Sequence, residues 1–148
     1  MSNLDAPSGF NPVGKIGSGP ASKMSEYNVT SDDIFQGDIV KLASGVIVQG
    51  AAADTAFVGV FWGANYDDST GKPVFVNQIA AGQAAVCFVY DDPYQVFEIQ
   101  GDGASAQTDI GDTAELIWTG TTWRITNVYN CADGISAPVI SCSRWQHN

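Results

Sequence analysis

The sequence contains few of the residues that catalysis, metal binding and redox chemistry require. Its 148 residues include one histidine and three cysteines, and six lysine or arginine residues stand against sixteen aspartate or glutamate residues, for a formal net charge of -10. Nucleic acids and acidic membrane surfaces repel so acidic a chain, so neither is an expected partner. The cysteines form no CxxC pair, which argues against a zinc site or a disulfide framework, and we expect no metal and no cofactor.

Long apolar segments are also missing. No run approaches the roughly 18 residues that span a bilayer. Residues 1–19 lack a basic segment followed by an apolar one, which is the pattern of a secretory leader. These absences predict a protein that is made in a cytoplasm and is either used there or carried out of it as part of a particle.

Catalytic side chains have no recognisable arrangement. The single histidine, His147, is the second residue from the C-terminus, where a side chain is seldom held rigidly enough to act as a base. We predict no catalytic residues, although a small hydrolase or nucleotide enzyme built on a carboxylate cluster stays a third alternative. Three acidic doublets are predicted to cap turns through the backbone rather than to hold calcium, namely Asp32-Asp33, Asp67-Asp68 and Asp91-Asp92.

The cysteines divide into one predicted core residue and one open question. Cys87 lies inside an apolar run and is predicted to be a small buried side chain. Cys131 and Cys142 would pair in an oxidising setting and stay free elsewhere, and the sequence does not decide between these states.

Short strand patterns fill the chain from residue 34 onward. Apolar alternation and turns rich in glycine, proline and aspartate predict a small all-β domain, a β-barrel or β-sandwich of short antiparallel strands. The predicted strands are Asp38–Leu42, Val46–Gln49, Phe57–Trp62, Pro73–Gln78, Ala84–Tyr90, Gln95–Gln100, Ala114–Trp118, Trp123–Val128 and Val139–Ser141. Gly59, inside an otherwise apolar strand, predicts a bulge or a close approach of two backbones.

One phrase occurs twice in the chain. Gly37-Asp38 opens an apolar alternation that reaches a turn at Gly45, and Gly111-Asp112 opens a similar one that reaches Gly120. Each copy predicts a tight β-hairpin, with a glycine near the tip because the turn requires positive φ. The two copies either record a duplicated half-barrel or coincide by chance.

The first part of the chain differs in composition from the rest. Residues 1–33 contain several glycines and prolines and only isolated apolar residues, so we predict an extended N-terminal arm followed by a single domain over residues 34–148. Residues 111–148 are either a second half of that barrel or an outward knob. The arm is either a flexible tail or a segment that orders on a partner, and the predicted partner contacts are Phe10, Val13 and Ile16 in the arm and Trp145 in the C-terminal tail.

The remaining aromatic residues leave two interpretations open. Trp62, Tyr66 and Trp123 favour a carbohydrate-binding module if they are exposed and coplanar, since flat aromatic surfaces stack on sugar rings. If they are buried, they contribute to the core.

The stretch from Gln36 to Gly63 resembles bacteriophage head decoration proteins of the small β-barrel type. The matching elements are Gly37-Asp38-Ile39-Val40 with Leu42, the turn at Gly45, Ala51-Ala52-Ala53-Asp54, and Gly59-Val60. The resemblance implies a non-enzymatic virion protein, often trimeric, that binds the outside of an assembled capsid and bridges major capsid protein subunits. The alternative is a carbohydrate-binding or tail-associated adhesin module.

Overall fold

The computed structural model describes residues 9–17, 19–20, 23–29, 32–51, 53–54, 56–99, 116–118 and 123–125. Over these residues all regular structure is β-strand, which confirms the predicted all-β class. The strands are β1 Asn11–Lys15, β2 Ser25–Val29, β3 Ile34–Phe35, β4 Ile39–Ala43, β5 Val46–Gln49, β6 Gly59–Asp67, β7 Pro73–Val76, β8 Gln78–Ile79, β9 Ala85–Tyr90, β10 Gln95–Glu98, β11 Leu116–Trp118 and β12 Trp123–Ile125.

Five strands close into a small barrel. Their order is β4-β5-β2-β9-β6, and β4 pairs with β6 to complete the ring, while β7 adds to the other edge of β6. All these pairings are antiparallel except the contact of β2 with β5, where Val29 lies opposite Ile47 in parallel. Three further two-stranded sheets pair β1 with β10, β3 with β8 and β11 with β12.

The first Gly-Asp hairpin forms as the sequence predicts. β4 and β5 are joined by Ser44 and Gly45, with φ of 51° and 84°. Positive φ at both turn residues is the type I′ geometry, whose twist matches that of paired strands. The second copy also makes an antiparallel pair, β11 with β12, in which Trp118 lies opposite Trp123, while the residues of its turn lie outside the described ones.

Alternation along the barrel strands separates two apolar clusters. Side chains that point inward fill the barrel, and the buried members of this main core are Val29, Ile34, Val40, Ile47, Phe61, Ala64, Ile79, Cys87 and Val89. Ile39 and Val60 are the neighbours of Val40 and Phe61, so they point to the outer side of the barrel wall. There they form a second cluster with buried Phe10 and partly buried Phe57, Phe97 and Ile99.

Some observed strand boundaries differ from the predicted ones, because pairing with distant strands determines where a strand begins and ends. The run predicted as Pro73–Gln78 divides at Asn77 into β7 and β8, which join different sheets. The strand predicted over Phe57–Trp62 instead runs from Gly59 to Asp67, and its register shifts between Phe61 and Gly63. Gly59 marks a close backbone approach, because a side chain there would collide with the Tyr90 carbonyl. The strand predicted at Val139–Ser141 lies outside the described residues.

The predicted boundary at residue 33 is wrong for the segment that precedes it. β2 lies in the barrel wall between β5 and β9, so residues 25–29 belong to the domain rather than to an arm. β1 is also paired, with β10, and is not a free extension. The glycines and prolines of this segment indicate irregular structure locally. The pairings with β10 and β9 could not be predicted from it, because those strands lie far away in the sequence.

Candidate interaction surface

A two-stranded ribbon, β1 with β10, lies over the second cluster on the outer side of the barrel wall. Phe10 precedes β1, and its backbone N–H donates to the Gly37 carbonyl at 2.9 Å. Gly9 has a φ of 74° and would place any side chain against the Gly37 backbone, so this close approach requires glycine. The Gly-Asp phrase thus provides the attachment point for the N-terminal segment.

Phe10 is a core residue, which corrects its predicted role as a partner contact. Its side chain is 0% exposed and lies in the second cluster with Ile39 and Val60. Its ring meets that of Phe97 edge-on, with centroids 6.0 Å apart and an interplanar angle of 84°. From the sequence, an isolated apolar residue in a polar segment is equally consistent with a contact to a partner and with a buried core position. In the structure Phe10 is buried against Ile39 and Val60 of the barrel wall.

Polar contacts fix the ribbon along its length. The buried Gln95 side chain donates through Nε2 to the Gly14 carbonyl of β1 at 2.8 Å. The Ile16 N–H donates to the Tyr94 carbonyl at 2.9 Å. Lys15 Nζ lies 2.8 Å from Asp92 Oδ2, in an ion pair that is partly exposed. The ribbon is therefore attached to the barrel by its apolar side and stiffened by hydrogen bonds and one ion pair.

The ribbon turns three large apolar side chains toward solvent. Val13 is 53% exposed, Ile16 47% and Tyr94 62%. Val13 is the extra residue of a β-bulge, because Pro12 lies opposite Phe97 and Gly14 opposite Val96. Phe97 packs on the second cluster, so its partner Pro12 is on the covered side and alternation places Val13 on the outer side, where it is the extra residue of the bulge. We call Val13, Ile16 and Tyr94 the ribbon surface.

The ribbon surface contains two of the four predicted partner contacts. Val13 and Ile16 are exposed as an interface would require, Phe10 is buried, and Trp145 lies outside the described residues. Sequence reasoning did not select Tyr94 as a contact, although its position just after the turn Asp91-Asp92-Pro93 is typical of an exposed loop tip.

The acidic doublets act mainly as backbone acceptors. Asp68 accepts from the Thr70 N–H at 2.8 Å, from its hydroxyl at 2.6 Å and from the Lys72 N–H at 3.0 Å. These hydrogen bonds, the Thr70 hydroxyl first, hold the pKa of Asp68 below its usual value. Asp92 likewise caps the Tyr94 N–H at 2.8 Å, which confirms the predicted turn-capping role at these two positions.

Three other doublet residues, Asp32, Asp33 and Asp91, connect separate parts of the chain. Asp32 accepts from the Gln49 N–H at 3.1 Å, and Asp33 accepts from the Ala81 N–H at 2.8 Å. Asp91 accepts from the Ser25 hydroxyl at 2.9 Å and the Tyr27 hydroxyl at 2.7 Å, joining β2 to the loop after β9. The hydrogen bond to Asp91 and burial both raise the pKa of Tyr27. Among the described residues, no three acidic, histidine or cysteine side chains are grouped as a metal site would need.

Asp38 of the Gly-Asp phrase is a buried structural carboxylate. It is 3% exposed, and its Oδ2 accepts from the Phe35 N–H at 3.0 Å and from Gln49 Nε2 at 2.9 Å. Burial raises the pKa of Asp38, while the two hydrogen bonds partly offset that effect. The phrase therefore holds the start of β4 against β5 and carries no reactive geometry.

The concave features of the structure differ in size and chemistry. A cavity of about 30 Å³ between Phe10, Tyr90 and the Asp91-Asp92 turn has room for little more than a water molecule. An open groove of about 630 Å³ lies where β2 and β6 end and β5, β7 and β9 begin. Cys87 is buried, and its burial raises the pKa of the thiol to about 11, so it is a poor nucleophile.

Trp62 and Tyr66 do not form a common stacking platform. The Trp62 ring meets Tyr90 edge-on at 5.6 Å, whereas Tyr66 packs against the main core of the barrel. The side chain of Trp123 lies outside the described residues, as do His147, Cys131 and Cys142. The described pair therefore offers no support for the coplanar sugar-binding arrangement.

Comparison with known proteins provides no relative for this chain. No family model, no curated protein and no solved structure matches it. Over the described residues no helix is long and apolar enough to cross a membrane.

Proposed function

We propose that this chain is a non-enzymatic virion structural protein that binds the outside of a phage capsid and bridges major capsid protein subunits. The observation that carries the proposal is the ribbon surface, where Val13, Ile16 and Tyr94 are exposed on a segment whose other side is fixed in a core. Rigid, exposed apolar side chains lose little conformational freedom on binding, which favours docking.

Three further features support this proposal. The Gly-Asp hairpin that resembles decoration proteins forms as a structured element of a five-stranded barrel. The described carboxylates serve largely as turn caps and strand connectors, which are structural roles. Contacts of modest size suffice for a protein that occurs many times on one shell, because repeated weak attachments add through avidity. We also propose a homotrimer, located on the virion exterior and synthesised in the host cytoplasm.

The direct test is co-sedimentation of the purified protein with shells of the major capsid protein encoded in the same genome. We expect the protein to pellet with the shells in a saturable manner, at a fixed ratio to the shell subunits. Light scattering coupled to size exclusion is expected to give the mass of a trimer. A protein that stays in the supernatant at every shell concentration would contradict the proposal.

The adhesin alternative predicts a different outcome in the same preparation. A carbohydrate-binding module would bind members of a glycan array in a saturable manner and would show no affinity for bare shells. Binding to glycans without binding to shells would replace the capsid proposal.

A further inference from the structure

The barrel has a second exposed apolar surface, formed by other residues than the ribbon surface. It lies on the outer side of β2, β9, β6 and β7, where the registers Asn28–Val86–Asn65–Phe75 and Glu26–Phe88–Gly63 run across the sheet. Alternate residues along each strand share this side. We call it the open face, and its members are Glu26, Asn28, Gly63, Asn65, Asp67, Phe75, Val86 and Phe88.

Phe75 is the centre of the open face. Its ring lies over Gly63, where a side chain would collide with it, and its centroid is 6.2 Å from that of Phe88. Phe75 is nevertheless 57% exposed, and Val86 beside it is 38% exposed. One side of the ring is therefore supported by backbone while the other side is open, which gives a fixed apolar contact.

Two carboxylates flank this apolar centre. Glu26 lies across from Phe88 on β2, and Asp67 lies beyond Asn65 on β6, both exposed. The ion pairs of the described residues are Lys15 with Asp92 and Lys41 with Asp54, so neither flanking carboxylate is part of an ion pair there. With a formal net charge of -10, the whole chain favours the approach of a cationic partner.

The open groove continues this surface at one end of the barrel. It is lined by open-face residues, Asn28, Asn65, Asp67 and Val86, and also by inward-pointing neighbours such as Tyr66. Amide and hydroxyl groups there can hydrogen-bond to a peptide backbone, while Phe75 and Val86 contact apolar side chains. The surface therefore combines an apolar centre, hydrogen-bonding groups at one end and negative charge at its edges.

We propose that the open face is a second docking surface, and that its occupant is a segment of a partner protein in which apolar side chains lie between lysine or arginine residues. An apolar side chain of the segment lies against Phe75 and Val86, and its neighbouring cations meet Glu26 and Asp67. The inference goes beyond the proposed function, because it holds whether or not the partner is a capsid protein. If both proposals hold, the chain has two separate contact surfaces, as bridging requires.

The test uses nuclear magnetic resonance titration of the isotope-labelled full chain with a seven-residue peptide that alternates lysine with valine and phenylalanine. We expect saturable shifts in the backbone amides of β2, β6, β7 and β9, with β1 unaffected. A matched peptide with glutamate in place of lysine should bind at least tenfold more weakly. Raising the salt concentration should weaken the binding of the lysine peptide, because salt screens the exposed charges of Glu26 and Asp67.

Two variants and two controls separate this site from general attraction to an acidic protein. Phe75→Ala should lower the affinity for the lysine peptide at least fivefold. The double variant Glu26→Gln with Asp67→Asn should independently do the same. The double variant keeps the inference testable if Phe75→Ala fails to fold. Glu98→Gln on β10 and Leu42→Ala on β4 remove an exposed carboxylate and an exposed apolar side chain elsewhere and should change binding less than twofold.

Several outcomes would overturn the inference. Equal binding of the glutamate peptide, shifts centred on β1 and β10, or equal weakening by Glu98→Gln would each show that the open face does not select this ligand. Absence of saturable binding would have the same meaning. The shell-binding assay tests the ribbon surface, and the peptide titration tests the open face. Because the two assays depend on different residues, either proposal can fail while the other holds.

Discussion

The outer wall of the barrel carries two apolar patches that end up in different environments. Ile39 and Val60 form one patch and are covered by the ribbon through Phe10, so they are almost fully buried. Phe75 and Val86 belong to the other patch, and they remain exposed. One patch is thus part of the fold, and the other is available to a partner.

The difference shows how one segment serves both stability and recognition. The N-terminal segment covers the first patch with Phe10, which precedes β1, and presents Val13 and Ile16 to solvent. A cover of this kind buries one apolar surface and presents other apolar side chains from a segment that is fixed in the fold. The ribbon is therefore the link between the core of the protein and its proposed attachment to a shell.

The largest effect is expected from uncovering the first patch. Phe10→Ala should lower the free energy of unfolding by about 3–5 kcal/mol, since it removes a fully buried ring and leaves a cavity. Phe75→Ala, its counterpart on the second patch, should cost about 1 kcal/mol because more than half of the side chain is already exposed. Urea denaturation of both variants measures the difference. Equal losses would mean that the two patches do not differ as described.

The buried phenylalanine also bears on what the sequence alone can predict. The β4–β5 hairpin was predictable because its signals are local, an apolar alternation interrupted by Gly45. β1 was not, because Pro12 and Gly14 weaken its strand pattern and its partner β10 lies at least 80 residues away in the sequence. For Val13 the sequence indicated an exposed contact, but which side of β1 faces solvent is fixed only by the pairing with β10.

β2 is an instructive intermediate case. Ser25, Tyr27 and Val29 alternate with the exposed Glu26 and Asn28, so a period of two was present in the sequence. Five residues next to a glycine-rich segment carry too little information to outweigh it, and only the pairing with β9 makes the strand central.

A smaller effect is expected at Asp38, which supports the strand beneath the ribbon. In Asp38→Asn the amide oxygen can take the place of Oδ2 and accept from both the Phe35 N–H and Gln49 Nε2, but the acceptor loses its charge and an NH2 group occupies the buried position of Oδ1, at a cost of about 1–3 kcal/mol. Because the pKa of Asp38 is raised in the folded state, that state binds the proton more tightly than the unfolded chain. The stability of the wild type relative to Asp38→Asn should therefore rise as the pH falls from 7 toward the ordinary aspartate range.

Urea denaturation of both proteins at neutral and mildly acidic pH gives this comparison. The variant serves as the reference because it retains the remaining carboxylates, including Asp54 and Asp68, whose pKa values are lowered. The quantity compared is the free energy of unfolding of the wild type minus that of Asp38→Asn. If this difference stays constant with pH, or falls on acidification, the assignment of Asp38 as a buried carboxylate is contradicted.

The smallest effect is expected at the ion pair on the ribbon. Lys15→Met should lower the free energy of unfolding by less than about 1 kcal/mol, because the Lys15–Asp92 pair is partly exposed and solvent screens it. Asp92 keeps its hydrogen bond to the Tyr94 N–H, so the turn itself is preserved. A loss above about 2 kcal/mol in thermal or urea denaturation would show that charge, rather than the Phe10 contact, attaches the ribbon.

The most direct test of the account is the affinity of ribbon variants for shells. Val13→Ser with Ile16→Ser removes two exposed apolar side chains, one on β1 and one just after it, while Leu42→Ser removes one of similar exposure on β4. We expect the double variant to remain folded and to co-sediment with shells at least tenfold more weakly than the wild type, a loss of about 1.4 kcal/mol or more. We expect Leu42→Ser to bind as the wild type does. Wild-type affinity in the folded double variant would contradict the assignment of the ribbon as the attachment surface.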